Sequence, residues 1–140
     1  MKFFIMLSRR SLGIILAVLI IAFLLTMQTF SQKASRIDGS TNEIRVNYLK
    51  GLKLYVDDDS VQSKEIVIPT EFGDVYDNYN RLQKESGFDL SKYKGKPATV
   101  YTYPLDKNSN VHLIVYGGQI IGGDIADVNI DGEIKPLITS

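Results

Sequence analysis

The sequence predicts an α+β fold: a single N-terminal transmembrane helix, then one small domain in which a main helix packs on an antiparallel sheet of about four or five strands. Three observations predict it. Residues 12–30 form an uncharged apolar run, residues 71–85 carry an apolar and aromatic stripe at helical spacing, and β-branched and aromatic residues dominate 97–125. A chain of 140 residues has room for one such domain.

The apolar run of residues 12–30 is predicted to cross a membrane, because as a helix it would extend about 28 Å, close to the hydrocarbon thickness of a bilayer. Lys2, Arg9 and Arg10 precede it, which predicts a cytoplasmic N-terminus over residues 1–11 and an exported remainder. A cleaved signal peptide is the alternative, but its apolar region is usually shorter. The predicted location is therefore the cell membrane, as a single-pass signal-anchor protein with an extracytoplasmic C-terminal domain.

A polar stalk over residues 31–41 is predicted to separate the anchor from the domain, residues 42–140. Ser40 to Glu43 has the form of a capping box, and apolar residues follow at helical spacing, so a short helix is expected from Thr41 to Lys50. Alternation over residues 52–56 predicts a first strand, and residues 65–68 predict a second, before Pro69.

The main helix is predicted over residues 71–85, with Thr70 as its cap and Gly87 as its stop. Its stripe comprises Phe72, Val75, Tyr76, Tyr79, Leu82 and Gln83.

Three further strands are predicted over residues 97–103, 111–116 and 119–125, the last two joined by a Gly117-Gly118 turn. Gly122 and Gly123 indicate a bulge or a close approach of the helix. A phosphate loop is disfavoured because Asp124, an acid, follows them in place of lysine and serine or threonine.

Composition excludes several functions. The chain has no cysteine and a single histidine, His112, so thiolate and multi-histidine metal sites are excluded and the histidine is interpreted as packing or surface. Residues 31–140 hold 13 basic and 16 acidic residues, which argues against nucleic acid as a partner. No cofactor is predicted.

Asp127, Asn129 and Asp131 match the start of a calcium-loop pattern, with Gly132 at the bend. The acid expected at the twelfth position is Ile138, so a metal would be held weakly, and the alternative is a hairpin turning on Asp131 and Gly132.

Tyrosines are the unusual feature of the domain, since they offer a large contact area with a polar tip. We interpret the domain as an interaction or binding module, not an enzyme, for an unknown protein or a cell-envelope component. The predicted binding residues are Tyr76, Tyr79, Asn80, Tyr101 and Tyr103. The alternative for the tyrosines is that they fill a small core.

Two other functions stay open. A cell-envelope hydrolase could use paired carboxylates such as Glu71 and Asp124. An inhibitor or propeptide-like regulator of an exported protease is suggested by fold analogy alone.

Several motifs together resemble a known family. They are Ile68-Pro69-x-Glu71-Phe72-x-x-Val75-Tyr76-x-x-Tyr79-Asn80-x-Leu82-Gln83, then Gly87-Phe88-Asp89-Leu90-x-x-Tyr93-x-Gly95-Lys96, then Tyr101-Thr102-Tyr103 and Val115-Tyr116-x-Gly118-x-Ile120-Ile121-Gly122-Gly123-Asp124-Ile125. This set resembles a family of small, membrane-anchored proteins of Gram-positive, clostridia-like bacteria, known only as a domain of unknown function. The resemblance implies no activity. It also implies a terminal turn at Asp131 and Gly132, in which the members of the family have no oxygen ligands at the positions of Asp127 and Asn129.

Overall fold

The computed structural model describes residues 13–14, 16–22, 36–129 and 132–138, and it divides into two compact units, Met1–Ser35 and Arg36–Ser140. In the first unit, residues 13–14 and 16–22 are helical. Among the described residues, no helix has both the length and the apolar character needed to cross a bilayer.

The fold class with a transmembrane helix over residues 12–30 is therefore wrong. The described helical residues lie between positions 13 and 22, an interval of about 15 Å at the helical rise, against about 30 Å of hydrocarbon. The rest of that run, together with Lys2, Arg9 and Arg10, lies outside the described residues, so the location of the protein stays a prediction.

The second unit is an α+β domain with one antiparallel sheet of six strands. The strands are β1 (Ile37–Asp38), β2 (Gln62–Val67), β3 (Pro97–Pro104), β4 (Ser109–Tyr116), β5 (Gln119–Asp127) and β6 (Ile134–Pro136). Their order is β1-β5-β4-β3-β2, and β6 pairs with the same side of β5 as β1 does, further along the strand. The helices are α1 (Asn42–Gly51), α2 (Asp74–Glu85) and a 3₁₀ turn (Leu90–Tyr93).

The cap of helix α1 lies one residue after Ser40, the serine of the predicted capping box. Thr41 is the cap, and its hydroxyl accepts a hydrogen bond from the Ile44 N–H at 3.3 Å. Helix α2 begins at Asp74, not at residue 71, and Gly73 caps it without a side-chain bond, so Thr70 is not the cap.

The end of α2 follows the prediction. Gly87 has φ +82°, its N–H bonds to the Lys84 carbonyl, and the Phe88 N–H bonds to the Gln83 carbonyl, which together form a Schellman motif.

The predicted strand over residues 52–56 is wrong. Leu52, Leu54 and Val56 are half-buried against the core, but the segment pairs with no strand. The alternation is satisfied by packing on one side, and the first hydrogen bond to the sheet comes only at Asp57, whose N–H reaches the Pro104 carbonyl at 2.9 Å.

Both faces of the sheet are covered. The α1-side core contains Val46 and Leu49 of α1 with Tyr103, Val111, Leu113, Val115 and Ile120 of the strands. The α2-side core contains Ile68, Leu90, Ala98, Ile114 and Ile121, with Phe72, Tyr76 and Tyr79 packed against it. Successive residues of β4 enter opposite cores, as the pleat requires. The sheet is thus the middle layer of three.

The two glycine pairs serve the backbone. Gly117 and Gly118 have φ +56° and +75°, the two positive values of a tight hairpin turn. Between β4 and β5 the register shifts after Ile114, so that Ile121 is an extra residue immediately before Gly122.

Candidate functional site

A row of polar residues crosses the α2 side of the sheet. Gln62 of β2 pairs with Thr102 of β3, Thr102 with His112 of β4, and His112 with Asp124 of β5. Directly paired residues of antiparallel strands point to the same face, so the four side chains are neighbours. We call these four residues the polar row.

The bulge at Ile121 determines which residues meet in this row. A hairpin closed by Gly117 and Gly118 without a bulge would place His112 opposite Gly123 and would turn Asp124 to the other face. The extra residue shifts the register by one and brings Asp124 opposite His112.

Asp124 is the centre of a hydrogen-bond network. Its Oδ2 accepts from the Tyr79 hydroxyl of α2 at 2.5 Å, and its Oδ1 lies 2.7 Å from Nδ1 of His112. The Asp124 side chain is 5% exposed and that of His112 is 27% exposed. A buried carboxylate is tolerated only when its oxygens are bonded, and here both are.

The electrostatics of the network follow from burial. Burial, and then the negative charge of Asp124, raise the pKa of the Tyr79 hydroxyl far above its ordinary value, so this hydroxyl remains a donor to the carboxylate. Because an ionised carboxylate can only accept, Nδ1 of His112 carries the proton in the neutral ring and Nε2 is an acceptor. Nε2 makes no hydrogen bond to the described residues and faces away from Asp124.

An aromatic ladder continues from this network along α2. The rings of Tyr79 and Tyr76 are 5.8 Å apart, and those of Tyr76 and Phe72 are 4.5 Å apart. The ammonium of Lys94 lies 4.5 Å from the centre of the Phe72 ring. The half-buried ladder thus adjoins the polar row at Asp124, the buried end of that row.

The predicted binding residues do not form one surface. Tyr76 and Tyr79 are together on the α2 side, whereas Tyr101 and Tyr103 are on the α1 side. Tyr103 is fully buried, and its hydroxyl accepts from Nε of Arg45 and donates to Asn42, each at 2.8 Å.

Tyr101 lies beneath Arg45, whose guanidinium carbon is 3.5 Å from the centre of its ring. This stacking gives the half-buried tyrosine a structural role, and a role in binding for any of the predicted tyrosines stays a prediction.

Asn80 is also occupied structurally. It is buried, its Oδ1 accepts from the Leu90 N–H at 2.8 Å, and its Nδ2 donates to Asp89 at 3.0 Å. Partial burial acts to raise the pKa of Asp89, but hydrogen bonds from Ser91 and Asn80 outweigh it and the pKa is lowered. Asn80 therefore ties α2 to the 3₁₀ turn.

The predicted calcium loop is only partly described. Oδ1 of Asp127 accepts from both the backbone N–H and the side-chain amide of Asn129, at 3.0 and 2.7 Å, and Asp131 lies outside the described residues. Calcium binding there stays a prediction. Asp57, Asp58 and Asp59 also lie close together, but all three are exposed, and Asp57 accepts bonds within its own turn.

The polar row is not predictable from the sequence patterns alone, because His112 and Asp124 meet only through the bulge. From the sequence, His112 is interpreted as packing or surface, and Asp124 is considered as an acid that disfavours a phosphate loop and as a hydrolase carboxylate. If the strand register is deduced from the Gly117-Gly118 turn alone, His112 and Asp124 lie on opposite faces of the sheet. Predicting their contact requires the position of the extra residue in β5.

Comparison with known proteins supports the resemblance. A family model described as Domain of unknown function (DUF4830) matches residues 49–125, more than half of the chain. No curated protein and no solved structure matches. Bacterial origin and membrane anchoring stay predictions. The match spans β2 to β4, α2 and β5 as far as Ile125, and so includes Tyr79, His112 and Asp124; the chain belongs to the DUF4830 family of domains of unknown function.

Proposed function

We propose that this domain is a binding module whose ligand lies over the polar row and contacts the His112 ring. The observation that carries the proposal is the contact between Asp124 and Nδ1 of His112, with the carboxylate nearly buried and the ring partly exposed. The buried acid fixes the orientation of an imidazole that solvent, or a ligand, can reach.

The chemistry of the ligand follows from Nε2. With the proton held at Nδ1, Nε2 accepts a hydrogen bond, so a matching ligand donates one from a hydroxyl or an amide. Thr102 is half-buried and Gln62 is exposed, so the row opens towards β2 and offers further polar contacts there. An unknown protein or a cell-envelope component can supply such groups.

The hydrolase alternative has less support from this geometry. Both oxygens of Asp124 are already bonded, whereas Glu71, the other carboxylate of that hypothesis, is exposed in the segment before α2. No hydroxyl nucleophile among the described residues is hydrogen-bonded to His112. Binding therefore fits the site better than covalent catalysis.

The test uses the single histidine of the chain, whose imidazole nitrogens give one unambiguous set of ¹⁵N NMR signals. We expect the free protein to show the tautomer protonated at Nδ1. Soluble peptidoglycan fragments and short peptides are then added, and a ligand at this site shifts the Nε2 resonance. His112→Phe should abolish binding of that ligand.

Tyr48→Phe is the matched control, since it changes a tyrosine on the opposite face of the sheet and should leave the affinity unchanged. A ligand that binds both variants equally well, with the Nε2 signal unmoved, contradicts the proposal.

A further inference from the structure

Strand β2 forms one edge of the sheet, and nothing among the described residues covers it. It pairs with β3 over six residues in unbroken register, with neither a bulge nor a proline. Five of its six residues are exposed. Proteins usually protect an edge of this kind, because its outward N–H and C=O groups can pair with another strand.

The register identifies the outward groups. Ile68, just past the strand, exchanges hydrogen bonds with the segment before β3: its N–H reaches the Lys96 carbonyl at 2.9 Å, and its carbonyl accepts from Gly95 at 2.8 Å. Backbone direction alternates along a strand, so Gln62, Lys64 and Ile66 also point their N–H and C=O groups at β3. The groups of Ser63, Glu65 and Val67 consequently point outwards.

The position of Pro97 agrees with this assignment. Pro97 pairs with Val67, and in that pair the two backbones do not exchange hydrogen bonds, so the missing N–H of proline costs nothing.

The opposite edge of the sheet is covered. Strand β1 pairs with residues 119–120 of β5 and β6 pairs with residues 124–126. In the gap between them, Oε1 of Gln83 accepts the Gly123 N–H at 2.8 Å. Among residues 36–129 and 132–138, one edge of the sheet is thus protected and the other is open.

A second copy of the chain fits this edge poorly. Two identical edges that join as one antiparallel sheet are related by a two-fold axis. Odd-numbered residues of one copy then face odd-numbered residues of the other, and even-numbered residues face even-numbered ones. The central registers place Lys64 opposite its own copy or Glu65 opposite its own copy. Like charges directly opposite each other are unfavourable, so these two residues disfavour the pairing of β2 with a second copy of itself.

We propose that β2 binds an extended peptide segment of another protein, which adds to the sheet as an antiparallel strand. Charge complementarity defines its chemistry: a basic residue opposite Glu65, followed by an acidic residue opposite Lys64. Apolar residues precede these two, because they face Val67, which is 66% exposed, and the half-buried Ile66.

A groove beside the edge receives the side chain opposite Val67. Its volume is about 360 Å³, and its lining includes Val67, Pro97, Thr99 and Val115. Val67, Thr99 and Val115 lie on the α1 side of the sheet, whereas the polar row lies on the α2 side. The β2 edge shares only Gln62 with the polar row, and neither proposal depends on the other.

The experiment titrates the full-length, ¹⁵N-labelled chain with a synthetic peptide of order apolar, apolar, lysine, glutamate, threonine, threonine. We expect the largest amide shifts at Ser63, Glu65 and Val67. Glu65→Pro removes an outward N–H without removing a bond to β3, and it should weaken binding about tenfold or more. Glu65→Ala keeps that N–H and should lose only a few-fold in affinity, the scale of one cross-strand ion pair.

If Glu65→Pro does not fold, a second measurement tests the proposal without that variant. A peptide with its two charges exchanged should bind the wild type more weakly, and the double variant Lys64→Glu with Glu65→Lys should prefer that exchanged peptide. Unchanged amide signals at millimolar peptide, an equal affinity of Glu65→Pro, or indifference to the exchange of charges would each overturn the proposal. Dimerisation through β2, seen by sedimentation, would overturn it as well.

Discussion

Asp124 shows how much of this site depends on single hydrogen bonds. Its carboxylate is almost excluded from water, and its two oxygens have two partners, Tyr79 and His112. Losing one partner of a buried acceptor costs its desolvation without compensation. The two donors come from a helix and from a neighbouring strand, so these bonds also connect α2 to the sheet.

Tyr79→Phe should therefore reduce the free energy of unfolding by about 1–3 kcal/mol, because it leaves Oδ2 of Asp124 without its donor. The measurement is urea unfolding at neutral pH, monitored by circular dichroism. Tyr76→Phe is the matched control on the same helix, since no hydrogen bond is formed by its hydroxyl within the described chain, and it should change stability by less than about 0.5 kcal/mol. Equal effects of the two substitutions would mean that the Asp124 bond contributes little.

At Gly123, strand β5 lies very close to the backbone of β4 and to Leu137. A Cβ on Gly123 would lie 2.7 Å from the His112 carbonyl oxygen and 2.9 Å from a methyl group of Leu137. At the neighbouring position, a Cβ on Gly122 would lie 2.9 Å from Oε1 of Gln83. These two glycines thus allow the close packing that the sequence indicated, next to the bulge that it also allowed.

Gly123→Ala should destabilise the domain by about 1–3 kcal/mol, because the backbone carbonyl it meets cannot move without disturbing the pairing of β4 with β5. Thermal unfolding would record the loss. Gly51→Ala is the control, since nothing lies within 4 Å of its added methyl, and it should be neutral or slightly stabilising. A Gly123→Ala protein as stable as the wild type would show that the strands can separate at little cost.

The sequence predicted most of the helices, strands and turns, but not where they end or which strands pair. The strands of β3 to β5, the Gly117-Gly118 turn and the stop at Gly87 follow from local chemistry, and the structure confirms them. The segment over residues 52–56 has the alternation of a strand, yet alternation records only which side is buried and not whether a neighbour offers hydrogen bonds.

Over the whole molecule, the sheet is buried on both faces, whereas the sequence predicted one helix on one face. The signal was present in β4: between His112 and Tyr116 it reads Leu-Ile-Val, which is typical of a strand covered on both sides. Which helix covers which face depends on contacts between distant segments, so local patterns could not assign it.

Because the two cores share one sheet, the domain should unfold in a single transition. Leu49 and Leu90 are fully buried in the α1-side and α2-side cores. Each substitution to alanine should cost about 2–5 kcal/mol, and far-ultraviolet circular dichroism and tyrosine fluorescence should give coincident unfolding curves for both variants. Separate midpoints for the two probes in either variant would show that the layers unfold independently.

The unequal edges of the sheet set a limit on assembly. Fibril growth by strand addition needs two templates on every subunit, one to receive and one to donate. Within the described part of the chain, β1 and β6 leave stretches of only two and three residues on the far side of β5, so β2 is the one continuous template there. Any complex built through that strand should therefore stop at a stoichiometry of one to one.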